Sequence, residues 1–200
     1  MLAACAAPGP RGGLPAAASQ ALGLSNAPIR GAAADAARQR FVAAQALKAS
    51  GNLEAAHAEF LALNRDHPAL SGPLTELGMI YARRDQRDRA VAAFEQAATV
   101  NPGNVVAINW LGTLHREAGN FEAAESAYQQ AISLDPTYAN AHFNLAVLYD
   151  VHFGQSARAL EHYQAYLDHT EAADLIVQAW VAQIEAEMAR MTASRGEETP

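Results

Sequence analysis

Cysteine is almost absent from this chain: Cys5 is the only one. A lone thiol excludes an internal disulfide and a cysteine-based zinc site. Long apolar runs are missing as well. No window of 18 or more apolar residues occurs, so no segment reads as a membrane-spanning helix. Clustered positive charge is scarce. There are 14 Lys and Arg against 21 Asp and Glu, a formal net charge of −7. Arg83-Arg84, Arg87 and Arg89 are interrupted by Asp85 and Asp88, which reads as a solvated turn. Without a basic patch to displace counterions, the balance argues against a nucleic-acid partner.

Catalytic signatures are lacking too. There is no GxGxxG, GxxxxGK[ST], HExxH or GxSxG. Among seven histidines, His162 and His169 share a helical face. At 1.5 Å per residue they stand ~10 Å apart, too far to share one metal ion. His152 has no ligand-spaced partner. Glu117, Glu122 and Glu125 read as solvated or first-turn charges. No catalytic residue, metal site or cofactor is expected.

What is present is a chain of 200 residues, half of them hydrophobic and only 18 % charged. That composition supports a real core. Residues 1–36 are Ala-, Gly- and Pro-rich, with Pro8, Pro10, Pro15 and Pro28, and read as a disordered arm. At ~5–6 Å × √n such a tether reaches about 30 Å.

Beyond Ala36 a repeat appears. Leu77-Gly78, Tyr81, Ala90, Phe94, Ala97 and Pro102 recur 34 residues later as Leu111-Gly112, His115, Ala124, Tyr128, Ala131 and Pro136. Stepping back gives Ala43-Ala44, Leu47, Ala56, Phe60, Leu63 and Pro68. Stepping forward gives Leu145-Ala146 and Tyr149, then, after one extra residue, Ala159, Tyr163 and Tyr166. Breakers at Ser50-Gly51-Asn52, Asp85-Gln86 and Ala118-Gly119-Asn120 divide each copy into two helical stretches.

This pattern resembles the tetratricopeptide repeat (TPR). The repeats are 37–70, 71–104, 105–138 and 139–173. The resemblance implies an all-α TPR solenoid: antiparallel helices A and B in each repeat, wound into a right-handed superhelix. Stacking neighbours completes a core that no repeat buries alone. Gly78 and Gly112 are expected to let the helices approach closely, with Phe94 and Tyr128 filling space between repeats. The fourth repeat carries an extra turn residue and has Glu171 in place of the terminal proline, so a longer helix A is expected there. Thr170 is expected to N-cap a capping helix over 174–190, and 191–200 to be a disordered tail.

The resemblance also implies a concave face lined by A helices, where TPR families hold protein or peptide partners. Carried over by position, its candidates are Arg38, Phe41, Gln45 and Lys48; Thr75, Met79 and Arg83; Asn109, Trp110, Thr113 and Arg116; and Asn140, Phe143, Asn144, Val147 and Asp150. Phe41, Trp110 and Phe143 would serve as apolar anchors, and Asn109 and Asn144 as partners for a peptide backbone. The Lys/Asn/Arg clamp by which some TPR proteins hold a C-terminal carboxylate is not matched. Phe41, Gln45, Glu76, Asn140 and Asn144 occupy its positions.

Leu2-Ala3-Ala4-Cys5 resembles the bacterial lipobox, in which the cysteine is lipidated. A signal peptide needs a basic start and ~7–15 apolar residues. Only Met1 to Ala4 stand before Cys5, so either such a segment precedes Met1 or the match is chance. Ala6 after the cysteine implies sorting to the outer membrane of a Gram-negative cell, facing the periplasm. TPR lipoproteins of this kind resemble the pilus-assembly group (TadD-like or PilF-like). The expectation is a non-enzymatic scaffold, tethered through Cys5, that captures proteins during assembly of a pilus, secretion or other envelope complex. The alternative is a soluble cytoplasmic TPR adaptor.

Overall fold

A computed structural model describes residues 31–170 and 174–197; Cys5 and the arm before residue 31 lie outside the described residues, as do Glu171 and residues 198–200. All regular structure among the described residues is helical. The helices are α1 (Ala32–Ala49), α2 (Leu53–Asp66), α3 (Ser71–Arg83), α4 (Arg87–Val100), α5 (Val105–Glu117), α6 (Phe121–Leu134) and α7 (Ala139–Val147). A π-helical turn, Leu148–His152, continues α7 and is followed by α8 (Ser156–Asp168) and α9 (Leu175–Glu197). The chain divides into two compact units, Met1–Pro73 and Leu74–Pro200, and α3 begins at the end of the first.

In the first unit α1 packs antiparallel on α2. Ala37, Phe41 and Ala44 of α1 and Ala56, Phe60 and Leu63 of α2 are buried, and the Phe41 and Phe60 rings meet edge-on at 5.5 Å. Arg40 bridges both Glu59, at 2.6 Å, and Asp66, at 2.9 Å. The Arg40 hydrogen bond is the main reason the Asp66 carboxyl titrates below its usual range.

The second unit repeats this pairing. Phe94 and Tyr128 are fully buried on α4 and α6. A Cβ at Gly78 would lie 2.6 Å from the Phe94 ring, and one at Gly112 2.6 Å from the Tyr128 ring. The glycines therefore make room for the aromatic ring of their own repeat. The same rings also reach the next repeat: Phe94 clusters with Ala107 and Leu114 of α5, and Tyr128 with Leu145 and Tyr149.

The turns inside the first three pairs share one geometry. Gly51, Asp85 and Gly119 all have positive φ. The N–H one residue further on donates back five residues, from Asn52 to Leu47, Gln86 to Tyr81 and Asn120 to His115. This closes the helix C-terminus in a left-handed cap. Asp85, with φ 56°, is the one non-glycine there among the described residues. Between repeats, Pro102 and Pro136 follow Asn101 and Asp135, whose side chains accept from Gly103 N and Thr137 N.

Four expectations need correction. The arm does not extend to residue 36, because α1 begins at Ala32. Three alanines form helix readily, and Asp35 in the first turn favours the helix dipole and pairs with Arg38 at 2.7 Å. In the fourth repeat helix A is not simply longer: the added residue is taken up as a π turn. Its closing bond accordingly spans six residues, Gln155 N–H to Tyr149 C=O. Thr170 does not cap the last helix. Its hydroxyl donates to Tyr166 and Leu167 carbonyls at the end of α8, while the Asp174 carboxylate accepts from Ile176 N and Val177 N. Finally, α9 runs from Leu175 to Glu197, so most of the supposed tail is helical. Val177 and Ile184 of α9 bury against Tyr149 and Tyr163.

Candidate functional site

The A helices place the candidate residues on two separate units. On α1, Phe41 is 2 % exposed and packed on Phe60. It belongs to the core, and its expected role as an apolar anchor is corrected accordingly. A position counted from the start of a repeat does not distinguish a ring that lines the surface from one that closes the helix pair. Gln45 and Lys48 lie half-buried on the same helix.

In the second unit, α3 carries Thr75 and Met79. Thr75 is buried and its hydroxyl accepts from Asn104 Nδ2 at 2.8 Å, while Asn104 Oδ1 caps α5 through Ala107 N. Thr75 thus positions the start of the next A helix. Met79 is half-buried against the cluster around Phe94.

Helix α5 carries Asn109, Trp110, Thr113 and Arg116. Asn109, Thr113 and Arg116 fall on one face through the 3.6-residue period. They are linked to the core. The Tyr128 hydroxyl donates to Thr113 Oγ1 at 3.3 Å, and Thr113 Oγ1 donates to the Asn109 carbonyl at 3.2 Å. Burial pushes the Tyr128 phenol above its ordinary pKa, so it remains a neutral donor. Trp110 stacks on Phe94, with centroids 5.6 Å apart and planes within 8°. Arg116 is half-buried, and its Nε is shielded from water with no hydrogen-bond partner.

Helix α7 carries Phe143 and Asn144. Asn144 Nδ2 donates to Asn109 Oδ1 at 3.0 Å, which joins two successive A helices directly. Phe143 is half-buried in an aromatic set formed by Tyr163, Tyr166 and Trp180, with centroids at 6.3, 5.2 and 6.4 Å. Asp150, in the π turn, accepts from the Tyr163 hydroxyl at 3.4 Å. Burial first, then that carboxylate, pushes the Tyr163 phenol well above the usual tyrosine range.

The structure therefore brings Asn109, Thr113, Arg116 and Asn144 together and commits Thr75 and Trp110 to packing. The 34-residue count did not reveal Trp180, whose ring is 38 % exposed beside Phe143. Its position in the apolar stripe of the last helix was the available signal. No group of three or more His, Cys, Asp or Glu suited to a metal ion exists among the described residues. No helix among them is long and apolar enough to cross a membrane.

The paired helices, left-handed caps and ring-on-glycine contacts define the all-α TPR fold. Residues 75–125 match a tetratricopeptide repeat model, and residues 112–150 a TPR repeat model. Three solved structures agree in fold. The pilF protein of Pseudomonas aeruginosa is 16 % identical, with a TM-score of 0.69 over 81 % of this chain and 73 % of that one. MamA (residues 41 to the end) of Desulfovibrio magneticus RS-1 is 19 % identical, with a TM-score of 0.61 over 80 % and 89 %. The first TPR of Spaghetti (RPAP3), bound to the HSP90 peptide SRMEEVD, is 19 % identical, with a TM-score of 0.54 over 60 % and 95 %. Matches and fold together support a TPR repeat protein, a class of generally non-catalytic scaffolds for protein–protein interaction.

Proposed function

We propose that the face formed by α5 and α7 captures a protein partner through an extended peptide segment. The observation that carries this reading is the Asn144–Asn109 bond, which sets two side-chain amides side by side across adjacent A helices. A side-chain amide offers both a donor and an acceptor, matching the paired groups of a peptide backbone. The bond uses one donor of Asn144 and the acceptor of Asn109, which leaves the Asn144 carbonyl oxygen for a peptide N–H. Arg116 adds a half-buried cation on the same face of α5.

We further propose that this scaffold is tethered at Cys5 as a lipoprotein of the outer membrane, facing the periplasm, and serves assembly of a pilus, secretion or other envelope complex. The lipobox-like Leu2-Ala3-Ala4-Cys5 and the fold shared with the pilF protein support that reading. A soluble cytoplasmic TPR adaptor is the alternative reading. Two experiments test these statements. Reading the genomic frame upstream of Met1 separates them: a basic and apolar segment in frame supports the tether, and a stop codon directly upstream contradicts it. For capture, Asn144→Ala should lose the bound partner in a pull-down while far-UV circular dichroism stays unchanged. Undiminished capture by Asn144→Ala moves the site off this face.

A further inference from the structure

His142 on α7 is buried, and His162 faces it from α8. Their Nδ1 atoms lie 3.1 Å apart. The other ring nitrogen of His142, Nε2, is 3.0 Å from the Pro136 carbonyl oxygen. A carbonyl only accepts, so Nε2 of His142 carries a proton. In a neutral His142, Nδ1 is then an acceptor. The contact between the two rings therefore requires His162 to be the donor, with its proton on Nδ1. One backbone carbonyl thus fixes the tautomers of both rings.

That arrangement leaves little room for added protons. A proton on His142 Nδ1 keeps the bond only if His162 shifts its own proton to Nε2, and it places a cation in a buried site; a proton on each ring sets N–H against N–H at 3.1 Å and breaks the bond. A proton on His162 Nε2 keeps the bond and charges a ring that stacks on Tyr149 at 5.7 Å. The surrounding groups weigh against that charge. Burial is the first cause of a lowered His162 pKa and the neighbouring His142 the second; Arg158 also opposes the cation, and Glu161 alone favours it. From the π turn, Tyr149 offers a neutral phenol whose hydroxyl donates to Glu125 at 2.6 Å. His169, at the end of α8, brings a third imidazole to 5.9 Å from His142. Among the described residues no carboxylate pairs with His142 or His162.

We propose that the His142–His162 bond is a proton-operated latch between α7 and α8, closed when both rings are neutral and released when acid has protonated both. The sign follows from linkage. His162 binds its proton less readily in the folded chain than when exposed, where its pKa is about 6.5. Stability is therefore fully present above that value and falls as pH drops through it and below. Release loosens the helix pair that carries Phe143 and Asn144. Weaker partner capture in acid would be a consequence that rests on the proposed partner face; the latch itself does not.

The test uses the full chain without any partner. Imidazole ¹⁵N NMR at pH 7.5 should find His142 as the Nε2–H tautomer and His162 as the Nδ1–H tautomer. On titration His162 should protonate below the ordinary value. In parallel, the urea midpoint is followed from pH 7.5 to pH 5 for wild type and for His162→Gln, whose amide can still donate to His142 Nδ1. The wild type should lose more stability, with about one extra proton taken up on unfolding. Two Nε2–H tautomers titrating independently near 6.5 overturn the latch, as do overlapping stability profiles of wild type and variant. Should the variant not fold, the wild-type NMR titration decides alone.

Discussion

The third and fourth helix pairs of the chain, both in the second unit, are built on one plan and differ at two points. In both, a fully buried tyrosine on helix B fills the pair, Tyr128 in one and Tyr163 in the other. Gly112 faces Tyr128, and Ala146, 34 residues further on, shares a core cluster with Tyr163. The Tyr128 ring leaves no room for a Cβ at Gly112, whereas Ala146 is accommodated with no exposure. The turn of the third pair closes over five residues and that of the fourth over six. Helix B nonetheless starts alike in both, with Ala124 N–H donating to Asn120 C=O and Ala159 N–H to Gln155 C=O. An extra residue is thus absorbed at the end of helix A, where a π turn re-pairs the backbone. The geometry that seats helix B is preserved.

Truncating the rings should have the largest effect. Tyr128→Ala and Tyr163→Ala should each cost about 3–5 kcal/mol by urea denaturation, since each empties a filled core. A cost below about 1 kcal/mol at Tyr163 would show that the fourth pair is only loosely assembled. Next, Gly112→Ala should cost about 1–3 kcal/mol through overpacking against a ring that has no free space. Ala146→Gly should cost about 1 kcal/mol, mainly through backbone entropy. Equal and small losses at both would remove the distinction between the pairs. Deleting Val151, which is 67 % exposed, should turn the π turn into α-helix with a smaller change in Tm than Gly112→Ala. Amide exchange should then show Gln155 protected as Asn120 is. The smallest effect has the opposite sign. Asp85→Gly should stabilise by up to about 1 kcal/mol, because a left-handed backbone is strained for any residue with a Cβ. A loss of stability there would mean that the Asp85 side chain holds the turn.

The 34-residue offset made most of this legible. It located Phe60, Phe94, Tyr128 and Tyr163 as equivalent, and all four are buried. It also located the extra residue of the fourth repeat. What it did not reveal depends on distance rather than period. The start of α1 at Ala32 is set by local alanine propensity, before the repeat begins, and by the Asp35–Arg38 pair. Phe41 and Trp110 looked alike as aromatic residues on A helices, yet one packs on Phe60 and the other on Phe94. Such pairings need coordinates. His162 and His169, too far apart to act together along one helix, gain their meaning from His142 on the neighbouring one.

The central claim, that the α5–α7 face holds a protein partner, is tested most directly by site-specific photo-crosslinking in the native cell. A crosslinking residue is placed at Asn144 and, as the comparison, at Leu134, an exposed position on helix B. The account predicts a discrete crosslinked protein from position 144 and none from position 134. The same adduct from position 134 alone, with position 144 silent, would contradict it.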